Sequence, residues 1–211
     1  VLAVALDDRG HHAVPARGQV FILPATPAVA VISDIDDTVV VSNITSKRGM
    51  IKTALFSNAA QLRATPGTAE ALRRAASAGA VATFYLSGSP QNFADRIEEF
   101  FRINGFPAGP VLLKNFGTDP TFDQVRYKTS HLERILAAHP TTRFVLLGDS
   151  GERDPEIYAA LRTRHPDRVV AIVIREVPGG DNQPSRFAGM TLVPDFSATP
   201  DILAAAVRAT P

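Results

Sequence analysis

The chain contains no cysteine. Disulfides, zinc–thiolate centres and thiol nucleophiles are thereby excluded, although this absence does not fix the compartment. An excess of one charge sign is also missing: 22 Lys and Arg stand against 21 Asp and Glu, a net charge of +1. That balance argues against bulk binding to a nucleic-acid backbone and leaves only local patches. No apolar run approaches the length that spans a bilayer, and no signal peptide is visible. Internal repeats and low-complexity blocks are absent too. What is there is 211 residues with 45% hydrophobic content, enough to bury the core of one α/β domain with an appendage.

The most informative stretch runs from Val31 to Val40. It starts in an apolar run, Val29-Ala30-Val31-Ile32, of the kind shown by a strand buried on both faces. Asp34, Asp36, Asp37 and Thr38 follow at once. Carboxylates crowded at the end of a buried strand repel one another and lose hydration, which is costly unless a positive charge sits among them. A divalent cation answers that need, and oxygen-only ligands favour magnesium. Simpler readings are a polar turn or a helix N-cap, but Val39-Val40-Val41 is a poor helix start. An EF-hand loop is excluded, because Val39 and Thr45 stand where it needs Gly and Glu.

Around this stretch the chain alternates. Val1–Leu6 and Gly18–Leu23 read as two strands joined by the turn Asp7-Asp8-Arg9-Gly10. Because the chain opens at Val1 in strand-like sequence, residues 1–29 are expected to be an N-terminal β segment, the remnant of a truncated region, ahead of a catalytic domain over 30–211. Strands follow at Val31–Asp34, Ala80–Leu86, Val111–Leu113, Phe144–Leu147 and Val169–Ile174. Helices are expected over Ala69–Ala78, Gln91–Ile103, Tyr127–Ala138, Asp154–Arg164 and Asp201–Arg208, punctuated by Gly79, Pro90 and Gly105. Strands alternating with helices predict an α/β fold with a doubly wound parallel sheet. One long insert, Val39–Ala64, breaks the rhythm directly after the first strand; connections of that length are usually lids or caps.

Polar residues cap the strand ends: Asp34 and Asp36, then Ser87, then Asp149 with Asp154, while Lys128 lies near a helix start. In a doubly wound sheet these ends meet at one edge, where ligands bind. Taken singly, each has a bland reading: Ser87-Gly88-Ser89-Pro90 as a helix cap, Lys128 as a solvated charge, Asp149 as a turn residue. A nucleophile elbow at Gly148–Glu152 fails because Glu152 stands where Gly is required. His131, His139 and His165 read as surface or capping residues.

Asp34-Ile35-Asp36-Asp37-Thr38, Ser87, Lys128 and Gly148-Asp149-Ser150-Gly151-Glu152-Arg153-Asp154 resemble the four ordered motifs of the haloacid dehalogenase-like phosphatase superfamily. The longer strings Ser33–Thr38, Tyr85–Pro90, Tyr127–Thr129 and Gly148–Tyr158 resemble one family within it, the catalytic domain of the actin-patch-type phosphatidate phosphatases, over roughly Ala30 to Val177. The resemblance implies a Rossmann-type sheet in the order 5-4-1-2-3 with the Asp34 strand central. It implies Mg²⁺ on Asp34, Asp149, Asp154 and the Asp36 carbonyl. Asp34 would be the nucleophile that forms an aspartyl-phosphate, and Asp36 the general acid and base. Ser87 and Lys128 would hold the transferring group, with Thr38 and Gly88 beside them in the substrate-binding set.

The expected activity is hydrolysis of a phosphate monoester, and the family resemblance implies phosphatidate as substrate and diacylglycerol as product. The alternatives are a phosphatase of soluble or nucleotide phosphates and an idle interaction scaffold of the same fold. Expected partners are the phosphate ester and an anionic lipid surface, without nucleic acid and without a transmembrane segment, in a cytoplasmic setting peripheral to a membrane. The insert segment Ser46–Phe56 mixes Lys47, Arg48 and Lys52 with Met50, Ile51, Leu55 and Phe56, which suits either a flap or a lipid-facing surface.

Overall fold

The apolar runs become strands of one parallel sheet. A computed structural model describes residues 2–3, 16–17, 19–41, 62–120 and 123–210. In chain order the strands are β1 (Leu2–Ala3), β2 (Ala16–Arg17), β3 (Ala28–Asp34), β4 (Val40–Val41), β5 (Arg63–Ala64), β6 (Ala80–Pro90), β7 (Val111–Lys114), β8 (Thr142–Asp149), β9 (Val169–Arg175) and β10 (Thr191–Val193). The helices are α1 (Thr68–Ser77), α2 (Ala94–Asn104), α3 (Gln124–Ala138), α4 (Asp154–Arg164) and α5 (Ile202–Arg208).

The main sheet has six strands in the order β10-β9-β8-β3-β6-β7, every neighbouring pair parallel. The expected five-strand order is present, with β3 central, and β10 adds an edge strand that the sequence did not announce. Its three residues, between Gly189-Met190 and Pro194, are too few to show a strand period. From β3 the chain winds outward through β6 and β7, then returns to pair β8 on the other side of β3. That reversal leaves a crevice at the carboxyl end of β3, where Asp34 stands.

Alternating residues of the central strands feed two separate cores. Val31, Tyr85, Val145, Leu147 and Val173 point to one face, covered by Leu72 of α1, Phe100 and Phe101 of α2, and Leu203 and Val207 of α5. Ala30, Ile32, Phe84, Leu86, Phe144, Leu146, Ile172 and Ile174 point to the other, covered by Leu132, Ile135 and Leu136 of α3 and Ile157 and Leu161 of α4. Burial on both faces explains why these strands read as continuous apolar runs rather than alternating ones.

The chain enters α1 through Gly67 at φ 77°; a Cβ there would lie 2.4 Å from the Phe196 carbonyl carbon, so only glycine fits. Other edges differ from expectation. The N-terminal pair is antiparallel, as a hairpin requires, but Leu2–Ala3 pairs with Ala16–Arg17, and Gln19–Pro24 belong to no strand. There Leu23 packs against the core while Val20 and Ile22 remain 62% and 89% exposed, so the segment lies on the domain without a ladder partner. The insert after β3 begins and ends in the antiparallel pair of β4 and β5. Its basic and apolar residues Lys47, Arg48, Met50, Ile51, Lys52, Leu55 and Phe56 lie outside the described residues.

Candidate active site

The end of β3 turns sharply. The amides of Val39 and Val40 both donate to the Ile35 carbonyl, at 2.9 and 3.0 Å. Asp37 takes φ 57°, a left-handed conformation that a short polar residue tolerates. Arg175, at the end of β9, donates from Nη1 to the Asp37 carbonyl at 2.5 Å and holds that turn in place. Asp34 and Asp36 are thereby presented at the crevice, both buried.

Beside them stands the loop after β8. Asp149 Oδ1 accepts from the amides of Gly151 and Glu152 at 2.7 and 3.1 Å. Asp154 opens α4, and Gly148 makes room for it. A Cβ on Gly148 would lie 2.7 Å from Asp154 Oδ2 and 2.7 Å from the Tyr158 ring. Pro155 suits the first turn of α4, where an amide hydrogen would have no helical partner.

Asp34, Asp149 and Asp154 form a group in which one carboxylate oxygen from each lies within 4.8 Å of the others. Lys128 of α3 enters it from the side, only 2% exposed. Its Nζ lies 2.6 Å from Asp154 Oδ1, 2.7 Å from Asp34 Oδ1 and 3.2 Å from Glu152 Oε2. One ammonium therefore serves several carboxylates, and negative charge remains in excess. Asp34 Oδ2 and Asp149 Oδ2 are buried with no hydrogen-bond partner among the described residues. Unpaired buried carboxylate oxygens are costly, and an all-oxygen donor set of this kind suits a hard divalent cation. The residues present fit such an ion.

The titration behaviour follows from the same crowding. Burial pushes the carboxyls of Asp34, Asp149 and Asp154 above the usual carboxylate range. Lys128 opposes this, while the carboxylates raise one another. For Lys128 burial acts downward, but Asp154, Asp34 and Glu152 outweigh it and hold the amine firmly protonated. Asp36 is different. Burial pushes it up to about 6, although Ser87 stabilises its charged form. Ser87 Oγ donates to Asp36 Oδ2 at 2.6 Å and accepts from the Ser89 amide at 2.8 Å. Ser89 Oγ approaches both Asp36 oxygens at 3.5 Å.

Asp34, Asp36, Ser87, Lys128, Asp149 and Asp154 thus meet as the strand-end pattern predicts. The Asp36 carboxylate lies outside the cation-type group and faces Ser87 instead. Gly88 sits against the Gln124 side chain, 3.5 Å from where its Cβ would stand. Thr38 is fully buried, its hydroxyl without a hydrogen-bond partner among the described residues and its carbonyl 3.4 Å from Thr68 Oγ1. Ser150, next to Asp149, accepts from the Val177 amide at 2.8 Å and is fully buried, a structural serine rather than a nucleophile. His139 and His165 cap α3 and α4. His131 is instead buried, its Nδ1 3.1 Å from the Tyr127 carbonyl.

Four residues escaped the sequence reading. Gln124 donates to the Glu152 carboxylate, and Glu152 in turn meets Lys128. Arg175 holds Asp37, as described. Arg186 donates to the carbonyls of Ser150 and Glu152, at 2.9 and 2.7 Å, and pairs with Glu156, so it staples the loop that carries Asp149. Glu152 lay inside a recognised string, yet nothing local marks which cation it meets.

Comparisons with known proteins converge on the same stretch. Residues 29–176 match the family described as phosphatidate phosphatase APP1, catalytic domain. The phosphatidate phosphatase APP1 of Saccharomyces cerevisiae is 30% identical over 166 residues, which cover 74% of this chain and 28% of that protein. An uncharacterised protein of Schizosaccharomyces pombe is 26% identical over 156 residues, 71% of this chain and 25% of its own length. The chain therefore spans about a quarter of the length of these curated relatives. Two solved structures of the Pnkp1/Rnl/Hen1 complex, the second titled as an RNA repair complex, superpose with TM-scores of 0.52 at 19% and 18% identity. They cover 80% and 79% of this chain and 53% and 50% of theirs, a likeness of fold alone. With a match over most of its length that contains every strand-end motif described above, the chain belongs to the family of the phosphatidate phosphatase APP1 catalytic domain.

Proposed function

We propose that this chain is a magnesium-dependent phosphomonoester phosphatase that works through an aspartyl-phosphate on Asp34, with phosphatidate as its substrate. The observation that carries the reading is the buried set of Asp34, Asp149 and Asp154, with unpaired oxygens on two of them and a single ammonium between. An anionic ester cannot approach such a set without further positive charge. Asp34, Asp149, Asp154 and the Asp36 carbonyl would hold Mg²⁺, which supplies charge neutralisation to the phosphoryl oxygens.

The remaining roles fall to the chain itself. One Asp34 oxygen attacks phosphorus, and the P–O bond to the leaving alcohol breaks. Asp36 gives its proton to the departing oxygen; at about 6 its pKa is near the range in which a group both donates and accepts. Asp36 then takes a proton from the water that cleaves the aspartyl-phosphate and releases inorganic phosphate. Lys128, 2.7 Å away, favours the ionised form of Asp34 against its burial and orients the carboxylate. Ser87, already within reach of Asp36, turns its hydroxyl to a phosphoryl oxygen, with Gly88 and Thr38 in the same substrate-binding set.

The lipid part of the reading is supported by family membership. No helix of the described residues is long and apolar enough to cross a membrane. The test is phosphate release from phosphatidate, sugar phosphates and nucleotides by the purified chain with Mg²⁺. Phosphatidate is expected to be the preferred substrate, and Asp34→Asn to abolish turnover on all of them. Phosphate release that survives Asp34→Asn would refute the assigned nucleophile.

A further inference from the structure

We propose that Arg175 is a positioning residue for the cation: it holds Asp37 in its left-handed conformation and so aims the Asp36 carbonyl at the ion. The inference rests on the phosphatase reading above and adds a residue that lies outside every motif behind that reading.

Arg175 ends β9, in register with Asp149 on β8. Its carbonyl accepts from the Ser150 amide at 2.9 Å, so its backbone is tied to the loop that follows Asp149. Its side chain reaches past β8 to the turn after β3, where Nη1 donates to the Asp37 carbonyl at 2.5 Å. One residue thereby joins the two segments that supply the proposed ligands. Arg175 is only 8% exposed, and its Nε is buried with no hydrogen-bond partner among the described residues. A buried cation with an unmet donor is destabilising, and an apolar side chain at this strand end would avoid that penalty. The bond to Asp37 is what an apolar side chain could not make.

That bond matters because of where Asp37 stands. Peptide planes are rigid, so φ and ψ of Asp37 set how the Asp36 carbonyl is turned relative to the Asp37 carbonyl. Asp37 has φ 57°, in a region that residues with a Cβ disfavour. The turn around it is tight: Asp36 bridges to Val40, and the amides of Val39 and Val40 share the Ile35 carbonyl. A return of Asp37 to negative φ would turn the Asp36 carbonyl to a new direction. The hydrogen bond from Arg175 opposes that return, and with a charged donor it is about twice as strong as a neutral one. In the phosphatase reading the Asp36 carbonyl is the backbone ligand, so its direction sets how well the ion is held.

The charge of Arg175 acts in the opposite sense. A cation near a divalent ion repels it, so loss of the charge alone would tighten Mg²⁺ binding. Loss of the anchor loosens it, and the sign of the change separates the two roles. Asp37→Gly isolates the anchor, because glycine takes positive φ without strain. Calorimetry of the whole chain with Mg²⁺ and no substrate gives the affinity of wild type, Arg175→Met, Asp37→Gly and the double variant. Arg175→Met is expected to weaken Mg²⁺ binding about tenfold, within the range that partners of metal ligands contribute. In the Asp37→Gly background the same change is expected to leave binding equal or tighter. The cycle cancels whatever the Asp37 carboxylate itself contributes. Arg175→Lys keeps the charge and repeats the cycle where Arg175→Met fails to fold, again with a loss confined to the Asp37 background. An Arg175 change with the same effect in both backgrounds, or one that tightens binding in the Asp37 protein, overturns this inference alone. A wild type that binds no Mg²⁺ overturns the metal site of the phosphatase reading and this inference with it.

Discussion

Replacing Lys128 with Met tests the electrostatic account of the site most directly. Met keeps the length of the side chain and removes its charge. The ammonium is 2% exposed and lies within 3.2 Å of three carboxylates, two of them fully enclosed. Removing one partner of a buried ion pair costs about 3–5 kcal/mol, because the other is left uncompensated. For a domain of this size about 2–4 °C of Tm accompanies each kcal/mol, so the metal-free variant should melt roughly 6–20 °C below wild type at neutral pH. The loss must also depend on pH, and its sign is determined. Asp34, Asp149 and Asp154 titrate above their unfolded value of 3.8, and Lys128 is a group that opposes the rise. Groups raised on folding stabilise the fold below the unfolded pKa and lose that contribution as pH climbs through the folded pKa. Without Lys128 the rise is larger, so the penalty should be small near pH 4 and grow through the neutral range. Saturating Mg²⁺ should recover part of it by binding the folded state only. Thermal melts of both proteins in chelator and in Mg²⁺, across that pH range, provide the assay. A Lys128→Met protein that melts with wild type in chelator at pH 7, or a deficit equal at acid and neutral pH, would refute the reasoning.

Further outcomes are expected. Asp36→Asn should leave Mg²⁺ affinity nearly unchanged, because its carboxylate faces Ser87 rather than the cation-type group, and should slow alkyl phosphate hydrolysis by about 10²–10⁴-fold. The loss should shrink for nitrophenyl phosphate, whose leaving group needs no proton; equal losses on both substrates would argue against the acid role. Asp149→Asn should abolish the Mg²⁺ binding heat seen by calorimetry, and undiminished binding would contradict the proposed ligand set. Changing Lys47, Arg48 and Lys52 together to Gln should weaken turnover on phosphatidate vesicles, by about 1 kcal/mol per charge if the insert meets the lipid surface, while a soluble ester is unaffected. The same activity on vesicles as wild type would leave the insert as a flap.

The sequence by itself determined the fold class and the place where the carboxylates gather. Buried parallel strands must be apolar along their whole length, and Val31–Ile32, Phe84–Leu86 and Phe144–Leu147 show that in one dimension. Carboxylates that end such strands must converge at the switch point, so Asp34 and Asp149 were legible before any coordinates. Only the tertiary structure decided which polar groups answer one another. Arg175 and the Asp37 carbonyl are 138 residues apart in the chain, and Lys128 and Glu152 are 24 apart. Long, flexible cationic side chains carry no periodic signal, and their partners depend on how loops from different strands pack. Ser87 shows the same limit. Its motif marked a hydroxyl at the site, but its engagement with Asp36 follows from two strand ends being hydrogen-bonded neighbours. The edge strand β10 was hidden for a related reason: three residues pair with β9 because the sheet is already there to receive them, not because of any preference visible in Thr191–Val193.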